Sequence, residues 1–242
     1  MSKVKSYDSG IPVKRSPFSL IELMIVLTII GIFIVGTSTI VGLVKGSKLR
    51  DVISEVEVYN SNIDNFYNQF GQFPGDYGVF INDLAAGNEN GKIEYINTDS
   101  ISETVVALKQ MIDAKIIKNH LTLVDFKVTS DNILPSQLPD VNIPSANVSG
   151  AGLIFDYFYN RNNIVLTGAI GSLNNIKRRS QNSISVISGA ITPTYALSID
   201  NKIDDGSANS GKIRGVLSSC FFNSTYITTN SKKECALAFE IN

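Results

Sequence analysis

The sequence predicts an α+β fold: one long N-terminal helix packed on a small antiparallel sheet. Three observations predict it. An uncharged apolar run from Leu23 to Val44 continues into helically spaced apolar positions at Leu49, Val52, Ile53, Val56, Ile63, Phe66 and Phe70. Short strand-like runs gather after residue 150. Gly71 with Pro74, and a loop carrying Pro135, Pro139 and Pro144, separate the helical from the extended regions. A long helix first and strands later is the pattern of an α+β domain.

The first helix is expected from about Leu20 to about Phe70. At about 1.5 Å per residue it would measure about 75 Å. Its first half is apolar all round and its second half carries one apolar stripe. The uncharged run is long enough to cross a hydrocarbon core of about 30 Å. Lys3, Lys5, Lys14 and Arg15 precede it against the single acid Asp8, so the positive-inside rule keeps the tail cytoplasmic and sends residues after 50 across. Lys45, Lys48 and Arg50 follow the run and weaken that asymmetry. The helix should stop at Gly71 and Pro74, where Pro74-Gly75-Asp76 imposes a turn. A turn-rich stretch from Asn88 to Ile93 comes next. A second helix is expected from Ser102, as N-cap, to Ile117, through Val105, Val106, Leu108, Met111, Ile112 and Ile116. Strands are expected from Gly152 to Tyr159, Asn163 to Ala169, Ser183 to Ile187, Ile213 to Leu217 and Cys235 to Ile241. Abundant Asn and Ser after residue 128 point to many loops and polar strand faces.

Composition narrows the function classes. Net charge is −1 and only 18% of residues are charged, with no basic cluster interleaved with aromatics, so no specific nucleic-acid partner is expected. His120 is the single histidine and has no second imidazole or nearby cysteine for a transition-metal site; it reads as a cap or surface residue. Gly-x-Ser-x-Gly and phosphate-binding glycine loops are absent. Lys177-Arg178-Arg179 reads as a solvated basic turn. No catalytic constellation emerges, and a non-enzyme is expected. The only cysteines, Cys220 and Cys235, read as one disulfide closing a terminal loop in an oxidising compartment, the alternative being two unrelated buried thiols. Asp200, Asp204 and Asp205 make the densest acidic feature, which either binds a hard cation such as Ca²⁺ or forms a polar turn around Asp205-Gly206.

Glu22 stands at the edge of the apolar run, where a carboxylate is costly and therefore a functional candidate. The residues around it, Phe18-Ser19-Leu20-Ile21-Glu22-Leu23-Met24-Ile25-Val26, closely resemble the prepilin signature shared by type IV pilins and type II secretion pseudopilins. The resemblance implies cleavage before Phe18 by a prepilin peptidase and N-methylation of the new terminus. It also implies an assembly role for Glu22, pairing with the terminal amine of a neighbouring subunit. An amine and a carboxylate in low dielectric offset each other's desolvation. The family has glycine before the cut, where this sequence has Pro17, which fixes φ and lacks an N–H. The run from Phe66 to Asp76 also resembles the stretch ending the long helix in pseudopilin-like proteins, and the acidic loop resembles their calcium loops.

The resemblance implies a pilin-like fold divided as 1–17 cytoplasmic leader, 18–45 transmembrane and assembly half-helix, and 46–242 periplasmic head. It implies a filament subunit or pseudopilin in the bacterial inner membrane, single-pass, joining an extracellular filament after assembly. Its partners would be like or unlike pilin subunits, the peptidase, and an assembly platform with its ATPase. The alternative is a non-polymerising, membrane-anchored periplasmic binding protein or a minor priming subunit.

Overall fold

The computed structural model describes residues 19–79, 87–95, 102–118, 121, 139–169 and 187–241, apart from the side chains of residue 33 and residues 35–46. The chain divides into two compact units, Met1–Lys45 and Gly46–Asn242. Helix α1 is Leu20–Phe70, with the limits expected of it. Among the described residues no helix is long and apolar enough to cross a membrane. The membrane-spanning expectation for 18–45 therefore rests on the uncharged run in the sequence.

In the second unit, α1 buries the expected stripe. Val52, Ile53, Val56, Ile63 and Phe66 are buried, and Leu49, Tyr59 and Phe70 pack beside them. These positions recur every three or four residues, so one helix face reaches the core while the rest stays in solvent. The stripe meets a four-stranded antiparallel sheet made of β1 (Ala151–Phe158), β2 (Arg161–Gly168), β3 (Ile213–Gly215) and β6 (Leu237–Glu240), ordered β1-β2-β6-β3. Register pairs Phe155 with Ile164, Ile164 with Phe239, and Phe239 with Ile213, so one face lines these side chains up under α1. The Tyr59 and Phe155 rings lie 6.1 Å apart across that contact.

The opposite sheet face differs from the polar one expected. Ile154, Phe158, Val165, Ala236, Ala238 and Val216 form a second buried cluster with Tyr95 and Ile143. Both faces of the central strands are covered, so apolar residues from Leu153 to Phe158 point to both sides of the sheet. The Tyr159-Asn160 hairpin turn has positive φ at both residues, the geometry that matches the twist of paired strands.

The helix ends as expected. Gly71 has φ +75° and its N–H donates to Tyr67 O at 2.7 Å. Gly75 has φ +92°, and a Cβ there would meet the Glu103 carbonyl. The turn packs Tyr77 against Phe66 and Phe70, at 5.9 and 5.4 Å between ring centres.

Several expectations are corrected. Helix α2 is Glu103–Asp113, shorter than read, because Lys115 turns left-handed at φ +61°. Ser102 holds the N-cap position but its side chain makes no capping bond; its Oγ is buried without a partner. The strand from Ser183 to Ile187 lies outside the described residues except Ile187, which is not in a strand. A helix not anticipated, α3 (Pro193–Ile203), occupies the stretch before the acidic loop, with Thr192 Oγ1 accepting from the Tyr195 N–H at 3.3 Å. A small hairpin of β4 (Phe221–Phe222) and β5 (Thr225–Tyr226) follows it.

Phe66→Ala is expected to lower stability by about 3–5 kcal/mol through loss of a fully buried ring. Val58→Ala, on the exposed side of the same helix, should stay within about 0.5 kcal/mol. Urea unfolding of both variants checks the contrast.

Candidate functional site

The N-terminal unit presents an apolar surface. From Leu20 to Ile34 the described side chains are exposed, Leu20 at 88% and Ile32 at 74%. Glu22 lies in the first turn of α1 and is the one charged residue of that exposed stretch. Ser19 and Glu22 stand three apart at the helix start, the spacing of a capping box, and the Ile21 N–H donates to Ser19 Oγ at 3.4 Å. A carboxylate in the first turn also faces the positive end of the helix dipole. Glu22 thus has a local electrostatic role whether or not another chain supplies an amine. Pro17 and Phe18 lie outside the described residues, as do His120 and the basic turn at 177–179.

In the second unit, the acidic residues do come together. One carboxylate oxygen from each of Asp200, Asp204 and Asp205 lies within 4.8 Å of the others. Asp200 is not in a turn as read from the sequence: it belongs to the last turn of α3 and is fully buried. Its Oδ2 accepts from the Tyr226 hydroxyl at 2.7 Å and its Oδ1 from the Gly206 N–H at 3.1 Å. Asp204 Oδ2 accepts from the Ile213 N–H at 2.7 Å, which anchors the start of β3. Asp205 accepts from the Ser207 N–H at 2.8 Å and the Ser210 hydroxyl at 2.7 Å.

The donor set is hard oxygen, the class that suits Ca²⁺. Yet these carboxylates already accept from loop amides and hydroxyls, and those bonds by themselves organise residues 200–213. Tyr226 was missed in the sequence. It lies 26 positions from Asp200, and only the β4–β5 hairpin returns it there.

Electrostatics follow from this packing. Burial raises the Asp200 carboxyl above its ordinary value; the Tyr226 hydroxyl and Gly206 amide pull it back, and Asp204 and Asp205 push it up further. Burial and the bond to Asp200 also raise the Tyr226 hydroxyl.

Cys220 and Cys235 form a disulfide, so the reading as unrelated thiols falls away. Both sulfurs are buried, and the bridge ties the β4–β5 hairpin to the segment entering β6. Cys235 also bridges Ile191 just before α3: its N–H donates to Ile191 O at 2.9 Å.

A second polar junction was not visible in the sequence. Asn147 donates from its N–H to Glu55 Oε2 at 3.0 Å and from Nδ2 to Asp51 Oδ2 at 2.9 Å. The two acids sit one turn apart on α1, and the clasp fastens the loop before β1 to the helix. Tyr59, beside it, has its hydroxyl pushed up to about 12 by burial and by the charges of Glu55 and Asp140.

No family model matches the chain, and no curated protein matches it. The solved structure of the major type IV pilin PilA1 from Clostridium difficile is similar at a TM-score of 0.36 and 10% identity, over 82% of this chain and 96% of that one. That likeness is too low to carry an argument, and the functional reading rests on this chain's own residues.

Replacing both cysteines by serine should cost about 3 kcal/mol, the loop-closure value for a bridge across 15 positions. Thermal unfolding with and without reductant checks this. Tyr226→Phe should cost about 1–3 kcal/mol by leaving a buried carboxylate oxygen without its donor. Because the folded value of Asp200 lies above the unfolded one, its stabilising contribution is complete below the unfolded value and declines as pH rises through the folded value. Asp200→Asn removes that dependence. Its stability relative to the parent should therefore improve as pH rises from about 4, read by urea unfolding across a pH series.

Proposed function

We propose that the chain is a pilin-like filament subunit: a membrane-anchored protein that assembles through its N-terminal half-helix and displays the second unit as a head. The observation that carries this reading is the start of α1. A helix of 51 residues exposes apolar side chains on all sides over its first turns, with Glu22 the one charged group among them. Such a surface in water would aggregate; it suits hydrocarbon or a bundle of like helices. The uncharged run from Leu23 to Val44 and the basic tail before it support insertion with the N-terminus in the cytoplasm. The prepilin-like residues from Phe18 to Val26 support cleavage before Phe18 by a dedicated peptidase, with methylation of the new amine.

The mechanism is assembly rather than bond chemistry. In the membrane the half-helix stores the unassembled subunit. In a filament the same surface packs on its neighbours, and Glu22 sets axial register by pairing with the Phe18 amine of an adjacent copy. A shifted subunit would leave both charges unpaired in low dielectric, at a cost of several kcal/mol (about 3–5). An assembly platform and its ATPase would supply the work of extraction. Whether the filament is a pilus or a secretion pseudopilus follows from its partners. For the acidic loop the reading is structural: Asp200, Asp204 and Asp205 serve as hydrogen-bond acceptors that shape 200–213.

A second reading, a non-polymerising anchored protein, draws on two observations. Pro17 stands where the signature has glycine. The Ser19–Glu22 spacing also gives Glu22 a role within its own helix.

N-terminal sequencing of membrane-extracted protein should read Phe18 first, N-methylated; a start at Met1 would overturn processing. Glu22→Leu should leave the subunit in the membrane and remove it from sheared filaments. Undiminished incorporation would show that Glu22 acts only on its own helix.

A further inference from the structure

Asn90-Gly91 is the single Asn-Gly pair in the sequence. It sits in the turn-rich stretch after α1, and neither the assembly surface nor the acidic loop uses it. Glycine after asparagine leaves the backbone nitrogen unshielded, and Gly91 has φ +80° with nothing near the place of a Cβ. Both residues are exposed, so water reaches them.

Three hydrogen bonds converge on the atoms that would react. The Gly91 N–H donates to Asp76 Oδ2 at 2.8 Å. The Lys92 N–H donates to Asn90 Oδ1 at 2.8 Å. Asn90 Nδ2 donates to Glu94 Oε2 at 2.9 Å. A fourth holds the frame: the Asn90 N–H donates to Asp76 Oδ1 at 2.8 Å. Asp76 is buried, only 2% exposed, and belongs to the Pro-Gly-Asp turn that ends the long helix. Each contact has a chemical counterpart. A carboxylate on the Gly91 N–H is where a general base must stand. An N–H on the side-chain carbonyl oxygen is where charge develops when that carbonyl is attacked. The Glu94 contact orients the amide with its nitrogen away from Lys92, so that nitrogen is placed to leave.

We propose that Asn90-Gly91 is a self-modification site, at which the folded protein converts Asn90 to aspartate or isoaspartate through a cyclic imide. The Gly91 nitrogen attacks Asn90 Cγ and its proton passes to Asp76 Oδ2. The new C–N bond places negative charge on Oδ1, held by the Lys92 N–H. The charge collapses back, the Cγ–Nδ2 bond breaks, and the nitrogen leaves as ammonia with the proton that Asp76 took. Water then adds to either imide carbonyl and opens the ring. No oxidant or cofactor enters.

The product adds a carboxylate beside Asp76, Glu89 and Glu94. Like charges at this spacing repel. The isoaspartate form also lengthens the backbone by one carbon and moves the Gly91 N–H off Asp76. The loop at 88–95 then loses its hold on the end of α1, so the modification acts as a slow timer on that junction. The inference stands independently of the filament reading.

The test incubates the full chain near neutral pH, folded or held unfolded in urea, and follows position 90 by peptide mass spectrometry that separates aspartate from isoaspartate, with ammonia release in parallel. The folded chain should convert severalfold faster than the unfolded one. Glu94→Ala, which removes the acceptor for Asn90 Nδ2, should slow conversion in the folded chain and leave the unfolded rate unchanged. Asp76→Asn should remove the folded-state excess where that variant folds. A folded rate equal to or below the unfolded rate overturns the proposal, as does a folded Glu94→Ala protein that converts at the parent rate.

Discussion

Burial of one face of α1 against the sheet is the contact from which the rest of the second unit follows. Val52, Val56, Ile63 and Phe66 supply the helix side, and Leu153, Phe155, Ile164, Leu166, Leu237 and Phe239 the sheet side. A side-chain period of 3.6 on the helix and of 2 on the strands leaves one orientation in which both apolar sets meet. That orientation places the end of α1 where the Pro-Gly-Asp turn can reach α2, and places Asp51 and Glu55 where the loop before β1 can fasten to them. The Gly75 N–H donates to Gln110 Oε1 at 2.7 Å, and Gln110 Nε2 returns to Tyr77 O at 3.0 Å. One buried amide thus closes the junction between the two helices from both sides.

Around this core, buried polar side chains do the work that regular backbone pairing does elsewhere. Asp76 accepts from Asn90 and Gly91, Asn162 from Ile93, and Asp156 from Tyr95. Asn163 Nδ2 donates to Phe158 O at 3.0 Å and Arg161 O at 2.8 Å, bracing the turn between β1 and β2. Backbone amides in irregular segments must find acceptors, and Asp and Asn supply them at short reach. Among the described residues Asn162 and Asn163 are buried asparagines of this kind, bonded to backbone rather than to water.

The two halves of α1 obey different rules. In the second unit the apolar stripe of the helix packs on the core, while Val58 and Tyr67 stay exposed. In the first unit the described side chains from Leu20 to Ile34 are exposed, with Glu22 at the start. One continuous helix thereby carries a buried stripe in the second unit and an exposed apolar stretch at its start.

Much of this was legible in the sequence. The limits of α1, its stripe, the glycine stop and the strands β1 and β2 follow from periodicity and turn chemistry, which are local properties. The disulfide was legible because the chain offers only one pair. Three features were not. The α3 helix was missed because Ala196 and Ile199 make only a short apolar stripe with the acid Asp200 beside it, and packing on the core decides the matter. Both-face burial of the sheet was hidden because it depends on segments distant in the chain, such as Tyr95 and Ile143. The acidic residues were visible as a cluster, but their partners were not: Tyr226 reaches Asp200, and Ile213 reaches Asp204, only after the hairpin and β3 are placed. The sequence by itself determined where α1 and the turn that ends it lie, because those are set by neighbours within a few residues. Tertiary structure alone decided which carboxylates are buried and what they hold, because desolvation and hydrogen-bond partners come from residues far apart in the chain.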